Sequence, residues 1–236
     1  MSNDLGNAGF GQKVFPIPHL NAGLTYVGTY EINGKSAQDW LNDFIAGSFF
    51  LYAQMDDFVK ALTRLLNSEM REIEFKKATI IHVCGYQTHN SKSYIQHWHI
   101  SNVTLDLPGE YSDPRTEFDF YTDFDTFKNA EHRELIISNT KIRSNRQYFI
   151  NGFTSGRYAA NYVIGVLETT LSAIWNMGQF RFRAPANIFE TANVLRLYYT
   201  IIIELFKISE YNAMYIGGEI QTYLLPMPPN IDLESI

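Results

Sequence analysis

A chain of 236 residues is long enough for one large domain or two small ones with a real hydrophobic core. Its net charge of −6 excludes the broad basic face that a nucleic-acid binder needs, and the pairs Lys76-Lys77 and Arg181, Arg183 are too small to build one. A single cysteine, Cys84, excludes an internal disulfide and fits a reducing compartment.

Residues 1–12, beginning MSNDLGNAGFG, are polar and glycine-rich. They carry no continuous apolar run, so they read as a flexible leader and not as a secretory signal. KVFPIP then makes a short extended segment in which Pro16 and Pro18 break both helix and ladder. HLNAGLTYVGTYEI reads as a strand with Leu24 and Tyr26 on one face and Thr25 and Val27 on the other, ended by Gly28. Asn33 to Ser36 is a turn, and Ser36 is a fair N-cap for a helix over 37–47 that buries Ala37, Trp40, Leu41, Phe44 and Ile45 and stops at Gly47. A second helix over about 54–71 carries Phe58, Leu62, Leu65 and Leu66 as its apolar stripe. Asp56 and Asp57 sit in its first turn, where the helix dipole favours anions.

Residues 78–86 are almost continuously apolar, as suits a strand covered on both faces, and Gly85 is expected to end it. The polar loop QTHNSK leads into a second strand, SYIQHWHISNVTL, to complete a hairpin. DPRTEFDFYTDFDTF alternates aromatic with Asp or Thr and reads in part as a half-solvated strand. From 147 the chain reads as strand, glycine turn and long helix, with Ser155 at the N-cap and Ala159, Val163, Val166, Leu167 and Ile174 buried. Another helix covers about 187–207. The region 194–208 is the most apolar of the chain, yet Arg196, Glu204 and Lys207 interrupt it and it is too short to span a bilayer. Two final strands, NAMYIGG and EIQTYLLP, meet at Gly217-Gly218, and a tail follows over 226–236. A soluble, cytoplasmic protein with no membrane or nucleic-acid partner is the expectation.

This order of strand pairs and helix pairs resembles the proteasome β-subunit branch of the N-terminal nucleophile hydrolases. KVFPIPHLNAGLTYVG is similar to the family's third and fourth strands, and DDFVKALTRLLN to its second helix. ATIIHVCGYQ with SYIQHWHISN is similar to the central hairpin. INGFTSGRYAANYVIGVLE resembles the glycine-serine-glycine turn into the third helix, FETANVLRLYYTIII the fourth helix, and NAMYIGGEIQTYLL the closing strands. The resemblance covers 13–225 as a single domain. It implies an α+β fold, a four-layer αββα sandwich of two antiparallel sheets with flanking helix pairs. It further implies amidohydrolase or peptidase chemistry on a peptide or amide substrate, assembly as a homo-oligomer, and no cofactor.

In that family an amino-terminal Thr, Ser or Cys attacks the amide carbonyl with its own α-amine as base, a lysine tunes proton transfer, and a glycine N–H holds the oxyanion. The nucleophile-bearing strands should precede Lys13, and the polar leader does not supply them. The resemblance therefore fits a truncated chain, a degenerate or partner-completed member, or the scaffold alone. Ser2 is a formal nucleophile that the leader would not hold over a sheet. Gly28 takes the position of the oxyanion glycine, or serves as a turn glycine. Ser155 and Gly156 take that of the supporting serine loop, or form a plain N-cap. Lys13 stands just before the third strand, whereas the family lysine belongs earlier.

Three further groups come from the residues alone. His97 and His99 share a strand face, and with His82, and His89 or Asp106, could ligate a metal for a small-molecule enzyme; ordinary hairpin packing around Trp98 is the alternative. Cys84 beside His82 suggests a Cys–His nucleophile, or a buried inert thiol. Asp119, Asp123 and Asp125 lack the glycines of a calcium loop and read as a solvated strand edge. Three functions follow: an amide hydrolase of the family above, a non-catalytic scaffold or interaction subunit of the same fold, and a metal-dependent enzyme built on the histidine face.

Overall fold

A computed structural model describes residues 11–49, 51–89, 91–103, 105–106, 110–111, 113–122, 165–166, 169, 173, 186–208, 220–226 and 228–229. Two compact units divide the chain: Met1–Lys141 together with Tyr223–Ile236, and Ile142–Thr222. The fold is mixed α+β, and every strand pairing is antiparallel.

The first unit is built on a five-stranded sheet. Strands β1 (Val14–Ile17), β2 (Ala22–Val27), β5 (Ile80–His89), β6 (Lys92–Ser101) and β9 (Asp119–Thr122) follow one another in the order β1-β2-β5-β6-β9. Between β2 and β5 lie a small hairpin, β3 (Glu31–Ile32) and β4 (Lys35–Ser36), and the helices α1 (Ala37–Ser48), α2 (Met55–Glu69) and α3 (Glu72–Phe75). β7 (Leu105–Asp106) and β8 (Glu110–Tyr111) pair by themselves. A 3-10 turn, Pro18–Leu20, joins β1 to β2.

The register explains which side chains are inside. Phe15, Leu24, Val83 and Trp98 form one cross-strand row, and Tyr26, Ile81 and Ile100 form another. Both rows are buried, and they face α1, which packs against β1, and α2, which lies against β5, β6 and β9. Each helix presents the stripe its period dictates: Ala37, Trp40 and Leu41 from α1, and Phe58, Val59, Leu62 and Leu66 from α2. Phe44, Ile45 and Leu65 are only half-buried at the border of that core. Full burial of one such side chain contributes on the order of 1.5–3 kcal/mol. The two tryptophans also satisfy their N–H groups: Trp98 Nε1 donates to Asp56 Oδ1 at 2.9 Å and Trp40 Nε1 to Glu69 Oε2 at 2.7 Å.

Local chemistry sets the element ends. Ser36 Oγ accepts from the Asp39 N–H at 3.1 Å, the cap expected for α1, but the helix runs one residue past Gly47 to Ser48. Asn33 and Gly34 both take positive φ, which closes the β3–β4 hairpin in two residues. Pro16 lies inside β1, opposite Gly23, instead of ending the strand. β1 is the outermost described strand, and position 16 falls on a non-hydrogen-bonded pair, so the missing N–H leaves the β1–β2 ladder intact.

Several expectations are corrected. β5 does not stop at Gly85: it continues to His89, and the hairpin turns in two residues, because His89 pairs with Lys92. Gly85 is instead a site of close approach, since a Cβ there would stand 2.6 Å from the Ala22 Cβ. The second unit contains α4 (Ile188–Ile208), as the apolar period predicted, and helical residues at 165, 166, 169 and 173. Val166 is exposed, not on a buried stripe. Residues 220–226 carry no strand, although EIQTYLLP alternates like one. No helix among the described residues is long and apolar enough to cross a membrane.

Candidate functional site

Two places bring chemistry-bearing residues together, and both belong to the five-stranded sheet. The first is the end of the sheet where β1 begins and β2 finishes. The Tyr26 N–H donates to the Lys13 carbonyl at 3.2 Å, which extends the β1–β2 ladder by one step and sets Lys13 across from Tyr26. The Lys13 Nζ then lies 5.7 Å from the centroid of the Tyr26 ring. Desolvation by burial lowers its pKa from the ordinary lysine value. The Tyr26 phenol is driven the other way. Burial pushes its pKa up, the hydrogen bond with Thr79 works against that, and the charge of Glu74 reinforces it, so the hydroxyl stays a donor, and it donates to the Thr29 carbonyl.

Gly28 stands two residues beyond Tyr26 with φ +149°, a backbone conformation that side-chain-bearing residues rarely adopt. A Cβ at this position would meet Thr79 Oγ1 at 2.3 Å and Thr79 Cα at 2.6 Å, so the place is sized to glycine. Thr79 is itself fixed. Its Oγ1 accepts from the Thr29 N–H at 3.2 Å, and its own N–H donates to Asn102 Oδ1 at 2.7 Å. Glu74 anchors the neighbouring turn through the N–H groups of Arg71, Asn33 and Gly34 and the Arg71 guanidinium. Burial alone would raise its pKa, but these donors outweigh burial and hold it below the usual value.

The second place is the opposite face of the same sheet. Thr25, His82 and His99 form one cross-strand row, and Gly23, Cys84 and His97 the next. The His82 and His99 rings meet edge to face, 4.7 Å apart at 85°. Cys84 Sγ lies 3.8 Å from His97 Nε2, within hydrogen-bond range for sulfur. His99 is buried, while His82, Cys84 and His97 are half-buried. The thiol thus has a partner across the ladder, at His97. Tyr223 covers the Gly23 end of the second row, with ring Cδ1 only 3.0 Å from where a Cβ on Gly23 would be.

The sheet brings together Lys13 and Gly28 from the first set of candidates, and His82, Cys84, His97 and His99 from the second. Ser2, Ser155, Gly156, Asp123 and Asp125 lie outside the described residues. Asp119 is exposed and paired with Arg115. Among the described residues no group of three or more His, Cys, Asp or Glu is arranged to hold a metal ion, the histidine face included. Sequence reasoning missed the buttress of Thr79 and Asn102 behind Gly28, and it missed His97 as the partner of Cys84. A two-residue turn at 90–91 would have shown the second, because it sets position 84 opposite 97. No family model, curated protein or solved structure matches the chain.

Proposed function

We propose that this chain is an N-terminal-nucleophile-hydrolase-like protein of the proteasome β-subunit type that assembles with copies of itself, with chemistry on amide bonds of a peptide or related substrate implied by the resemblance and no N-terminal nucleophile visible in its polar leader. The observation that carries this reading is the placement of Lys13 against Tyr26, two residues before Gly28. A half-buried lysine at the start of β1 and a glycine whose φ side-chain-bearing residues rarely adopt, after the end of β2, are two of the parts that such chemistry asks of a strand end. In this reading Lys13 carries the proton exchanged with the nucleophile, and the Gly28 N–H faces the developing oxyanion. Ser155 and Gly156 orient the nucleophile's amine. The five-stranded sheet with α1 and α2 on one face supplies two of the layers that a four-layer αββα sandwich requires.

The experiment is to treat the purified full chain with a β-lactone electrophile and a panel of fluorogenic peptide amides, reading adduct by intact mass and hydrolysis by fluorescence. Wild type is expected to hydrolyse the peptide amides and to form one adduct that peptide mapping places at a residue other than Cys84. Lys13→Ala should lower kcat by about 10²–10⁴-fold with little change in KM, the range expected for loss of a proton-transfer group. Neither adduct nor turnover in wild type would overturn the catalytic reading. A second reading, a non-catalytic scaffold or interaction subunit of the same fold, draws on Phe49 and Leu51, which are 56% and 69% exposed at the α1–α2 connection. It predicts an assembly by light scattering that Phe49→Ser with Leu51→Ser disrupts; a monomeric wild type would exclude it and the proposed self-assembly alike.

A further inference from the structure

The pairing of Cys84 with His97 is not used by the amide-hydrolysis reading and does not depend on it. We propose that Cys84 and His97 form a thiol–imidazole pair that makes Cys84 a site of thiol–disulfide exchange with small-molecule disulfides. The two residues are register partners in the β5–β6 hairpin, and the backbone fixes their Cβ atoms on the same face of the sheet. With Sγ 3.8 Å from Nε2, the imidazole can take the thiol proton and stand beside the resulting thiolate as a cation. A fully buried thiol would be inert, but Cys84 is half-buried. On its β2 side the register partner is Gly23, which contributes no side chain. The space over Gly23 is taken by Tyr223 from residues 220–226, which carry no regular secondary structure and are tied down by Asn21 Nδ2 donating to the Pro226 carbonyl at 2.9 Å.

The titratable groups that share this face among the described residues are His82 and Tyr86 on β5, His97 and His99 on β6, Asp119 on β9, and Tyr223. Asp119, the carboxylate among them, stands two rows from Cys84 and is paired with Arg115. His82 and His99 lie one row away, so any charge they take is positive and favours the thiolate. Burial pushes the Tyr86 phenol up, so it stays neutral through the range in which a thiol titrates. In the exchange the thiol proton of Cys84 passes to His97 Nε2, and the resulting thiolate attacks one sulfur of the disulfide. The attacked S–S bond breaks, a mixed disulfide forms at Sγ, and the other half leaves as a thiolate. Cys84 is oxidised and the departing half is reduced, so no further oxidant is needed.

The test uses the intact chain and 5,5′-dithiobis(2-nitrobenzoate), whose release is read by absorbance; with one cysteine in the sequence, every equivalent reports Cys84. The readout is the ratio of second-order rates at about pH 9 and about pH 6.5. An unassisted thiol titrating at about 8.5 slows about eightyfold over that interval, whereas a His-assisted one slows about tenfold or less. Wild type is expected near tenfold, His97→Gln near eightyfold, and His82→Gln close to wild type. An eightyfold ratio in wild type, or a ratio unmoved by His97→Gln in a variant with an unchanged far-ultraviolet spectrum, would overturn the proposal. So would labelling that begins only in denaturant. If His97→Gln fails to fold, the wild-type ratio alone decides.

Discussion

Asn102 is the residue whose loss should be felt most widely. It is fully buried just after β6, and its side chain joins three segments of the first unit. Oδ1 accepts from the Thr79 N–H at 2.7 Å, while Nδ2 faces the carbonyls of Phe75 and Lys77, each at 3.1 Å, and of Arg115 at 3.4 Å. Asn102→Ala leaves one buried N–H and at least two carbonyls without the partner that replaced water. Taking ~1–3 kcal/mol for a stranded buried group and ~1 kcal/mol for each net hydrogen bond, and allowing for their overlap, the loss is ~3–4 kcal/mol. That is a large share of the ~5–15 kcal/mol typical of a folded domain. At ~2–4 °C per kcal/mol for a unit of this size, Tm should fall by roughly 10 °C. Urea denaturation followed by circular dichroism measures the loss directly. Asn102→Asp separates the roles of the two amide atoms: it keeps an acceptor for Thr79 but turns a carboxylate toward three carbonyls, so it should cost at least as much. Thr79 receives the Thr29 N–H next to Gly28, so hydrogen exchange at Thr29 should also accelerate. A destabilisation under ~1 kcal/mol in Asn102→Ala would show that the network does not carry this strand end.

Gly28→Ala should destabilise by at least ~2–3 kcal/mol in the same urea assay, because the new methyl would collide with the Thr79 Cα, a backbone atom that cannot swing aside, at a φ that alanine resists. A change within ~0.5 kcal/mol would refute the close-contact reading. Glu74 gives a pH signature. Its carboxyl is held below its ordinary 4.5, so the stability it contributes is present above that value and is lost as pH falls through the lower, folded-state value. Wild type should therefore exceed Glu74→Gln by ~1–2 kcal/mol at neutral pH, with the gap closing on acidification; a gap that held constant down to pH 3 would assign the role of Glu74 to shape alone.

The parts of the fold that were legible in the sequence were those written in hydrophobic period. The stripes of α1 and α2, the alternation of β2 and the Ser36 cap follow from spacing that only one face of one element can satisfy. Glycines were harder to read. Gly28 and Gly85 both follow apolar runs, yet one ends its strand at a positive φ and the other lies within β5 because Ala22 crowds it. Nothing local distinguishes a glycine needed for its dihedral from one needed for a neighbour's bulk. The same limit hid Asn102, which reads as one more residue of the second hairpin strand until its carbonyl partners, distant in sequence, are brought around it. Of the candidate site, the sequence shows Lys13 only as a lysine just before a strand, and the ladder adds that it stands across from Tyr26.

Pro16 has a consequence for how the molecule keeps to itself. The outward-facing groups of β1 fall at positions 14 and 16, and at 16 the donor is gone. A foreign strand that tried to add to this side of the sheet would find a carbonyl to bind and no N–H to return, beside a ring that props the chains apart. Replacing Pro16 by a strand former such as Val would restore that donor and should favour edge-to-edge aggregation. The residue that looks like a break in the strand thus acts as a guard on the side of β1 that no described strand occupies.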